Sequence, residues 1–201
     1  MAIDTGLLVD CGNLNAVGGI RQILLTDLDN VATVLPTTSN SSHTLTSFIT
    51  TAAWARFEFK NETASLAISG TKEGGSTSYE CALSFYLPQM NGARFNEIMS
   101  LAGWTDTELT SACPVALIEM NDGTKLVVGW SYVYANQSQG STFWDRNQTY
   151  ANLTTIEGGT GATYADDNGL TITLTAKQFE LPLEYTGDIT VVAGDLTATT
   201  D

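Results

Sequence analysis

The strict alternation of apolar and polar residues between Ser78 and Leu87 constrains the fold of this chain most strongly. Every second position is apolar, in the set Tyr79, Cys81, Leu83, Phe85 and Leu87. The positions between them are mostly polar or small, in the set Ser78, Glu80, Ala82, Ser84 and Tyr86. Because successive side chains of a β-strand point to opposite faces of its sheet, the pattern predicts a strand with one face in a core and one in water.

A second segment, from Trp54 to Glu62, alternates in the same way. Phe57 and Phe59 lie on its apolar side, and Leu66 and Ile68 continue that side further along the chain. The polar side consists of Arg56, Glu58, Lys60 and Glu62. We expect this segment and the strand from Tyr79 to Leu87 to form a half-buried antiparallel hairpin.

Other strands and turns recur along the chain. A first strand is predicted over Ile20 to Leu28, and the Thr/Ser/Asn-rich run from Pro36 to Ser47 is typical of an exposed loop. Asn121-Asp122-Gly123 separates two apolar runs and predicts a hairpin near the middle of the domain. Further strands are predicted over Gln148 to Ile156 and Leu170 to Ala176.

One helix is indicated, beginning after Asn91, which can cap it. Its apolar residues recur at helical spacing and predict a core-facing stripe of Phe95, Ile98, Met99 and Ala102. The expected organisation is an N-terminal arm over 1–19, a single β domain over 20–185 and a C-terminal tail over 186–201. The fold class is mainly β, an antiparallel β-sandwich or barrel with one flanking α-helix.

The charge balance limits the partners of the chain. It has 22 Asp and Glu against 8 Lys and Arg, a formal net charge of −14 and a pI near 4.1. Surfaces that bind nucleic acid neutralise its phosphates with Lys and Arg, so this composition argues against nucleic-acid binding. It suits a surface that lies close to DNA without holding it.

Residues that carry catalysis or bind metals are scarce. The single histidine, His43, has no identifiable partner for a metal site or a catalytic triad. Asp-rich turns at Asp27 and Asp166 could offer oxygen ligands to Ca²⁺, but neither fits the twelve-residue calcium loop, which favours solvated turns. We predict a protein that is not an enzyme and needs no cofactor or metal; a hydrolase with an unrecognised acid pair is the weakest alternative.

Three cysteines, Cys11, Cys81 and Cys113, lack metal-ligand spacing, and we expect reduced thiols in the core. The N-terminus carries no signal-peptide pattern, and no apolar run is long enough to span a bilayer. The sequence therefore predicts a protein made in a cytoplasm and without a membrane partner.

The order of these elements resembles that of the tail tube (major tail) proteins of long-tailed bacteriophages. The resemblance covers most of the chain and rests on its layout. It is carried by the arm from Cys11-Gly12 to Gly18-Gly19-Ile20, the strand from Trp54 to Ser65, its partner from Tyr79 to Leu87, the helix from Asn91 to Ala102, and the hairpin from Val115 through Asn-Asp-Gly to Trp130.

The resemblance implies a virion structural protein of the phage tail, made in the host bacterial cytoplasm. Subunits would form rings, hexameric in this family, which stack into a tube that conducts DNA during ejection without binding it specifically. Its other partners would be the tail terminator, the baseplate or tip, the tape measure and, in contractile tails, a sheath. The family has no catalytic residues to transfer.

Two sets of residues are assigned to this assembly as hypotheses. The polar face of the first hairpin would line an acidic lumen, through Glu58, Lys60, Glu62, Ser78, Glu80 and Ser84. Contacts between subunits would involve Ile20, His43, Phe143 and Trp144, since aromatic residues are enriched at interface hot spots.

Two alternatives remain open. Another ring component of a phage tail, such as a terminator or a baseplate protein, would share this plan. A carbohydrate-binding β-sandwich could instead stack sugars on exposed tryptophans, the candidates being Trp54, Trp104, Trp130 and Trp144.

Overall fold

Strands make up most of the structure, a computed structural model that describes residues 18–27, 44–45, 54–102, 114–130, 150–163, 166–178 and 180–187. Strands account for 59% of the described residues, which include one short helix, so the fold is mainly β as predicted. The strands are β1 (Ile20–Asp27), β2 (Thr44–Leu45), β3 (Ala55–Phe57), β4 (Ser65–Glu73), β5 (Ser76–Pro88), β6 (Pro114–Met120), β7 (Lys125–Val128), β8 (Asn152–Gly159), β9 (Gly169–Gln178) and β10 (Leu183–Tyr185). The helix is α1 (Gly92–Leu101).

The described strands form two sheets. Sheet A has six strands in the order β2-β10-β7-β6-β1-β3, and sheet B has four in the order β4-β5-β9-β8. Every pairing is antiparallel except the short one between β10 and β2. The antiparallel part of the predicted fold class is therefore confirmed.

The two sheets share one apolar core. Sheet B contributes the inner residues of its two central strands, namely Cys81, Leu83, Phe85, Leu87, Ile172, Leu174 and Ala176. Sheet A contributes Ile20, Ile23, Leu25, Ala116, Ile118 and Val128. Phe85 is fully buried, and the rings of Phe57 and Phe59 pack against its ring at 6.2 and 6.5 Å between centroids.

Sheet A is buried on both faces. Its second face holds a separate cluster, made of Leu24, Leu45, Trp54, Val115, Leu117, Val127, Trp130, Leu183 and Tyr185. The predicted hairpin of β6 and β7 therefore lies in the middle of the domain, as its two apolar faces indicated. Gln178 at the end of β9 ties the sheets together, because its Nε2 donates to the Trp130 carbonyl at 2.8 Å.

The helix begins where the sequence predicts. The Asn91 side chain accepts a hydrogen bond from the Arg94 N–H at 2.9 Å, which satisfies one of the free donors of the first turn. The predicted core stripe is only partly correct. Ile98 is buried, but Phe95 and Met99 are 42% and 40% exposed, because the helix meets the core through Ile98 and Leu101.

The single strand predicted from Trp54 to Glu62 is wrong. Ala55–Phe57 pairs with β1 in sheet A, and the chain then turns at Asn61 and Glu62 before β4 begins in sheet B. Glu62 has a φ of 64°, a left-handed conformation that ends an extended segment. The partner of β5 is β4, from Ser65 to Glu73, joined to it by Gly74 and Gly75 with positive φ at both positions.

The exposed loop predicted from Pro36 to Ser47 is wrong at Thr44 and Leu45. These two residues form β2 beside β10, and Leu45 is 1% exposed because it joins the second cluster. The rest of that loop lies outside the described residues, as do most of the N-terminal arm and the C-terminal tail. In the part of the chain that the structure covers, no helix is long and apolar enough to cross a bilayer.

Replacing Phe85 with alanine should destabilise the fold by about 3–5 kcal/mol, because it removes a buried ring that two other rings contact. Phe95→Ala is the matched control, since the same atoms are removed from an exposed position; we expect a loss below about 1 kcal/mol. Urea unfolding followed by tryptophan fluorescence measures both. Equal losses would contradict the assignment of Phe85 to the core.

Candidate functional site

The outer face of sheet B, opposite the core, is covered with hydroxyl groups. We call it the hydroxyl face. It comprises Ser65, Ser69 and Thr71 of β4, Ser78 and Ser84 of β5, Thr171, Thr173 and Thr175 of β9, and Thr154 and Thr155 of β8. Ala67 and Ala82 lie side by side within it. The face follows from the alternation of β5 and β9, whose inner residues are buried and whose outer residues therefore face water.

Several of these hydroxyl groups bond to one another across the strands. The Thr154 and Thr175 Oγ1 atoms are 2.9 Å apart, and Thr154 also donates to the Thr173 carbonyl at 3.1 Å. The Thr173 hydroxyl donates to Ser84 Oγ at 3.4 Å. Thr154 is the extra residue where the register of β8 shifts against β9. These bonds keep the hydroxyl side chains close to the sheet, so the face offers polar groups without long projections.

Few charges interrupt the hydroxyl face. Acidic groups come from Glu73, Glu80 and Glu157, and the Lys177 amine lies 4.0 Å from the Glu80 carboxylate. An open groove of about 510 Å³ lies at the β4–β5 side of the face, lined by Ser69, Thr71, Glu73, Ser78, Tyr79, Glu80 and Lys177. Phosphate groups would meet mainly hydroxyls and carboxylates there.

One end of the hydroxyl face is closed by an ion pair. Lys60 Nζ donates to the Asp167 carboxylate at 2.7–2.8 Å and lies 5.8 Å from the centroid of the Tyr86 ring. The hydrogen bond that Lys60 donates to Asp167 raises the pKa of Lys60 above its ordinary value. The Lys60 backbone N–H also donates to the Tyr86 carbonyl, so the connection from β3 to β4 is anchored at the end of β5.

The turn between β8 and β9 is organised by Asp166. Its Oδ2 accepts the backbone N–H groups of Ala162 and Thr163, each at 2.7 Å. Hydrogen bonds from Thr163 and then Ala162 lower the pKa of Asp166, because they stabilise the charged form. Asp166 therefore acts as a turn cap, and the described residues contain no cluster of three or more ligands that could hold a metal.

The structure separates the six residues predicted to face a lumen into two groups. Ser78, Glu80 and Ser84 lie together on the hydroxyl face. Glu58, Lys60 and Glu62 lie in the connection between the sheets, because the strand expected to carry them ends at Phe57. The alternating threonines of β9 were visible in the sequence, but their place beside β5 required the strand order.

The residues predicted to contact other subunits are mostly outside the described part of the chain. His43, Phe143 and Trp144 fall there, and their role stays a prediction. Ile20 is 8% exposed in the core between the sheets, which leaves little of its side chain for contact with another subunit.

Two of the four tryptophans considered as a sugar platform are buried. Trp54 and Trp130 are 4% and 5% exposed within the second cluster of sheet A, so neither ring face is open to a ligand. Trp104 and Trp144 lie outside the described residues. Of the cysteines, only Cys81 is described; it is a free thiol, and burial raises its pKa to about 11, as expected of an inert core thiol.

The open edges of sheet B were not predicted from the sequence. Strands β4 and β8 each pair with one neighbour only, and each leaves a row of backbone N–H and C=O groups on its outer side without a strand partner in the described structure. Each edge also carries an exposed isoleucine, Ile68 on β4 and Ile156 on β8. The strand order was needed to find them, since the alternation had placed Ile68 on the apolar face of its strand.

The sequence matches no family model, and no curated protein or solved structure matches it. The geometry of sheet B and the charge of the chain are therefore the features that bear on function.

Removing the Asp166 charge should change how stability depends on pH. A carboxylate whose pKa is lowered by folding stabilises the protein above its unfolded pKa, near 3.8, and loses that contribution as pH falls through the folded value. We expect Asp166→Asn to lower the melting temperature at pH 7 and to match the wild type in strong acid. Thermal melts between pH 7 and 2 test this; a difference that does not change with pH would contradict it.

Proposed function

We propose that this protein is a virion structural protein that assembles into rings, and that the rings stack as the tail tube of a long-tailed bacteriophage. The observation that carries the proposal is sheet B, which combines a polar face with two open edges on opposite sides. In this arrangement the two sheets pack as a β-sandwich, sheet B faces a channel and sheet A lies outside it. Its partners are further copies of itself and the other proteins of the tail.

The hydroxyl face has the chemistry that a DNA channel requires. Hydroxyl groups keep such a channel hydrated, and the carboxylates of Glu73, Glu80 and Glu157 repel phosphates. Among the described residues, the positive charges at this face are Lys177, which lies beside Glu80, and Lys60 at its end, which is paired with Asp167. DNA can then slide along the face without binding to it, in keeping with the net charge of −14.

The open edges supply the means of assembly. An exposed sheet edge is a template for pairing with another chain, and a head-to-tail contact repeated by rotation generates a ring. Sheets joined in this way close into a large barrel with one face inside. Ser78, Glu80 and Ser84 then line the channel, while His43, Phe143 and Trp144 remain candidates for contacts between subunits or rings.

Negative-stain electron microscopy with light scattering on the purified protein tests assembly directly. We expect rings or tubes with a stained central channel. Single rings that do not stack would indicate a terminator or baseplate component instead. A protein that stays monomeric at high concentration, with and without tail proteins that could start a tube, would contradict the proposal.

Adding positive charge to the hydroxyl face should make the assembled channel retain DNA. Thr173 and Thr155 are opposite one another on β9 and β8, so Thr173→Lys with Thr155→Lys places two amines near the passing phosphates. We expect wild-type rings to release a short DNA duplex and the double variant to retain it, with retention falling as salt rises.

The matched control adds the same two charges at exposed positions of α1, as Phe95→Lys with Met99→Lys. These rings should release DNA as the wild type does. Equal retention by both double variants would place the hydroxyl face outside the channel.

A further inference from the structure

Two isoleucines are exposed on the core side of sheet B, one at each edge. Ile68 of β4 is 44% exposed and Ile156 of β8 is 48% exposed, although their cross-strand partners Cys81 and Ile172 are fully buried. Sheet A thus covers the two central strands, and on the edge strands it reaches Leu66 and Leu153 but leaves Ile68 and Ile156 open. Large apolar side chains on an uncovered edge indicate a contact with another chain.

The two edges are complementary to each other. The four strands of sheet B alternate in direction, so β4 and β8 run in opposite directions. When a second copy follows by rotation about an axis, its β4 lies beside β8 of the first and antiparallel to it. The antiparallel ladder then continues from copy to copy without a break.

The positions of the two isoleucines define a stagger between copies. Ile68 is in the row of Cys81, and Ile156 is in the row of Ile172 and Phe85, so the two rows are four residues apart along β5. Four residues correspond to roughly 13 Å along the strands, and four strands to roughly 19 Å across them. Pairing the two isoleucines therefore tilts the strands by about 35° from the barrel axis, close to the value of about 36° for barrels with one residue of shear per strand.

The hydrogen bonds of sheet B fix the direction of this stagger. The Tyr86 carbonyl accepts from Lys60, which leads into β4, and the Gln89 N–H donates to Asn168 on the β9 side. With L-residues, this places β4 on the left and β8 on the right when the sheet is viewed from its core side with β5 pointing up. In a barrel viewed from outside, the right-handed twist of the strands tilts them to the upper right. Relative to the hydrogen-bonded rows, the next copy on the right is therefore displaced upward along the strands. Ile68 lies in the lower of the two isoleucine rows. Ile68 of the next copy is therefore opposite Ile156 of the first copy, provided that the hydroxyl face is inside the barrel.

We infer that β8 of one copy pairs with β4 of the next in the register that puts Ile156 opposite Ile68. This inference rests on the proposed ring assembly and specifies its interface. The same register sets Thr155 opposite Ser69, Glu157 opposite Ala67 and Gly159 opposite Ser65. No two like charges face each other in these pairs, and the hydroxyl face continues across the boundary.

Complementary charges test the register. Ile68→Lys alters only the β4 edge, and Ile156→Glu alters only the β8 edge. Each variant alone should need at least about tenfold more protein to form rings, because every junction then places a charge against an isoleucine. Mixed in equal amounts, the two variants should recover assembly as alternating copies, since every junction is then either Lys with Glu or isoleucine with isoleucine.

The control mixes Ile156→Glu with Ile68→Glu, each defective alone; alternating copies would then place Glu against Glu at every second junction, so mixing should not restore rings. Circular dichroism verifies that each variant is folded. Rings from either single variant at the protein concentrations that the wild type needs, or no recovery of rings on mixing, would overturn the register. The proposed function would still be supported if the wild type forms rings. If the wild type forms no rings and the mixture forms none, both inferences fail.

Discussion

The pairing of β5 with β9 is the interaction on which the rest of the structure depends. Ten residue pairs, from Tyr79–Gln178 to Pro88–Gly169, hold the two strands in one register. Their inner side chains, such as Leu83, Phe85 and Leu174, are 0% exposed against sheet A. Because a shift of one residue would turn every apolar side chain into water, core burial fixes the register and, with it, the outward direction of the serines and threonines.

Much of this arrangement could be predicted because it is local. Alternation over ten residues identifies a strand and its two faces, an Asp-Gly turn between apolar runs identifies a hairpin, and an asparagine at the N-cap marks the start of α1. In each case the determining contacts lie within a few residues along the chain. For that reason, the predicted limits of β1, β6 and β9 lie close to their limits in the structure.

The remainder depends on contacts between distant segments. The alternation from Trp54 onward does not reveal that the chain leaves sheet A after Phe57 and enters sheet B at Ser65. The interruption at Thr63 and Ala64 was the local sign of this change. The exposure of Phe95 and Met99 likewise depends on where α1 lies on the core. Periodicity identifies an apolar face, but the coverage of that face is decided by the area of the element packed against it.

Because sheet A leaves part of sheet B uncovered, the edges of sheet B matter more than their length suggests. A monomeric domain usually protects such edges with charged residues, proline or a covering segment. Strand β4 contains no proline, and its single lysine, Lys72, is next to the turn, so Ser65 to Thr71 carries no charge. In β8 the only charged residue is Glu157. Edges of this kind are a liability for a protein that remains alone and an advantage for one that joins sheets, which is why the exposed isoleucines and the hydroxyl face are best explained together.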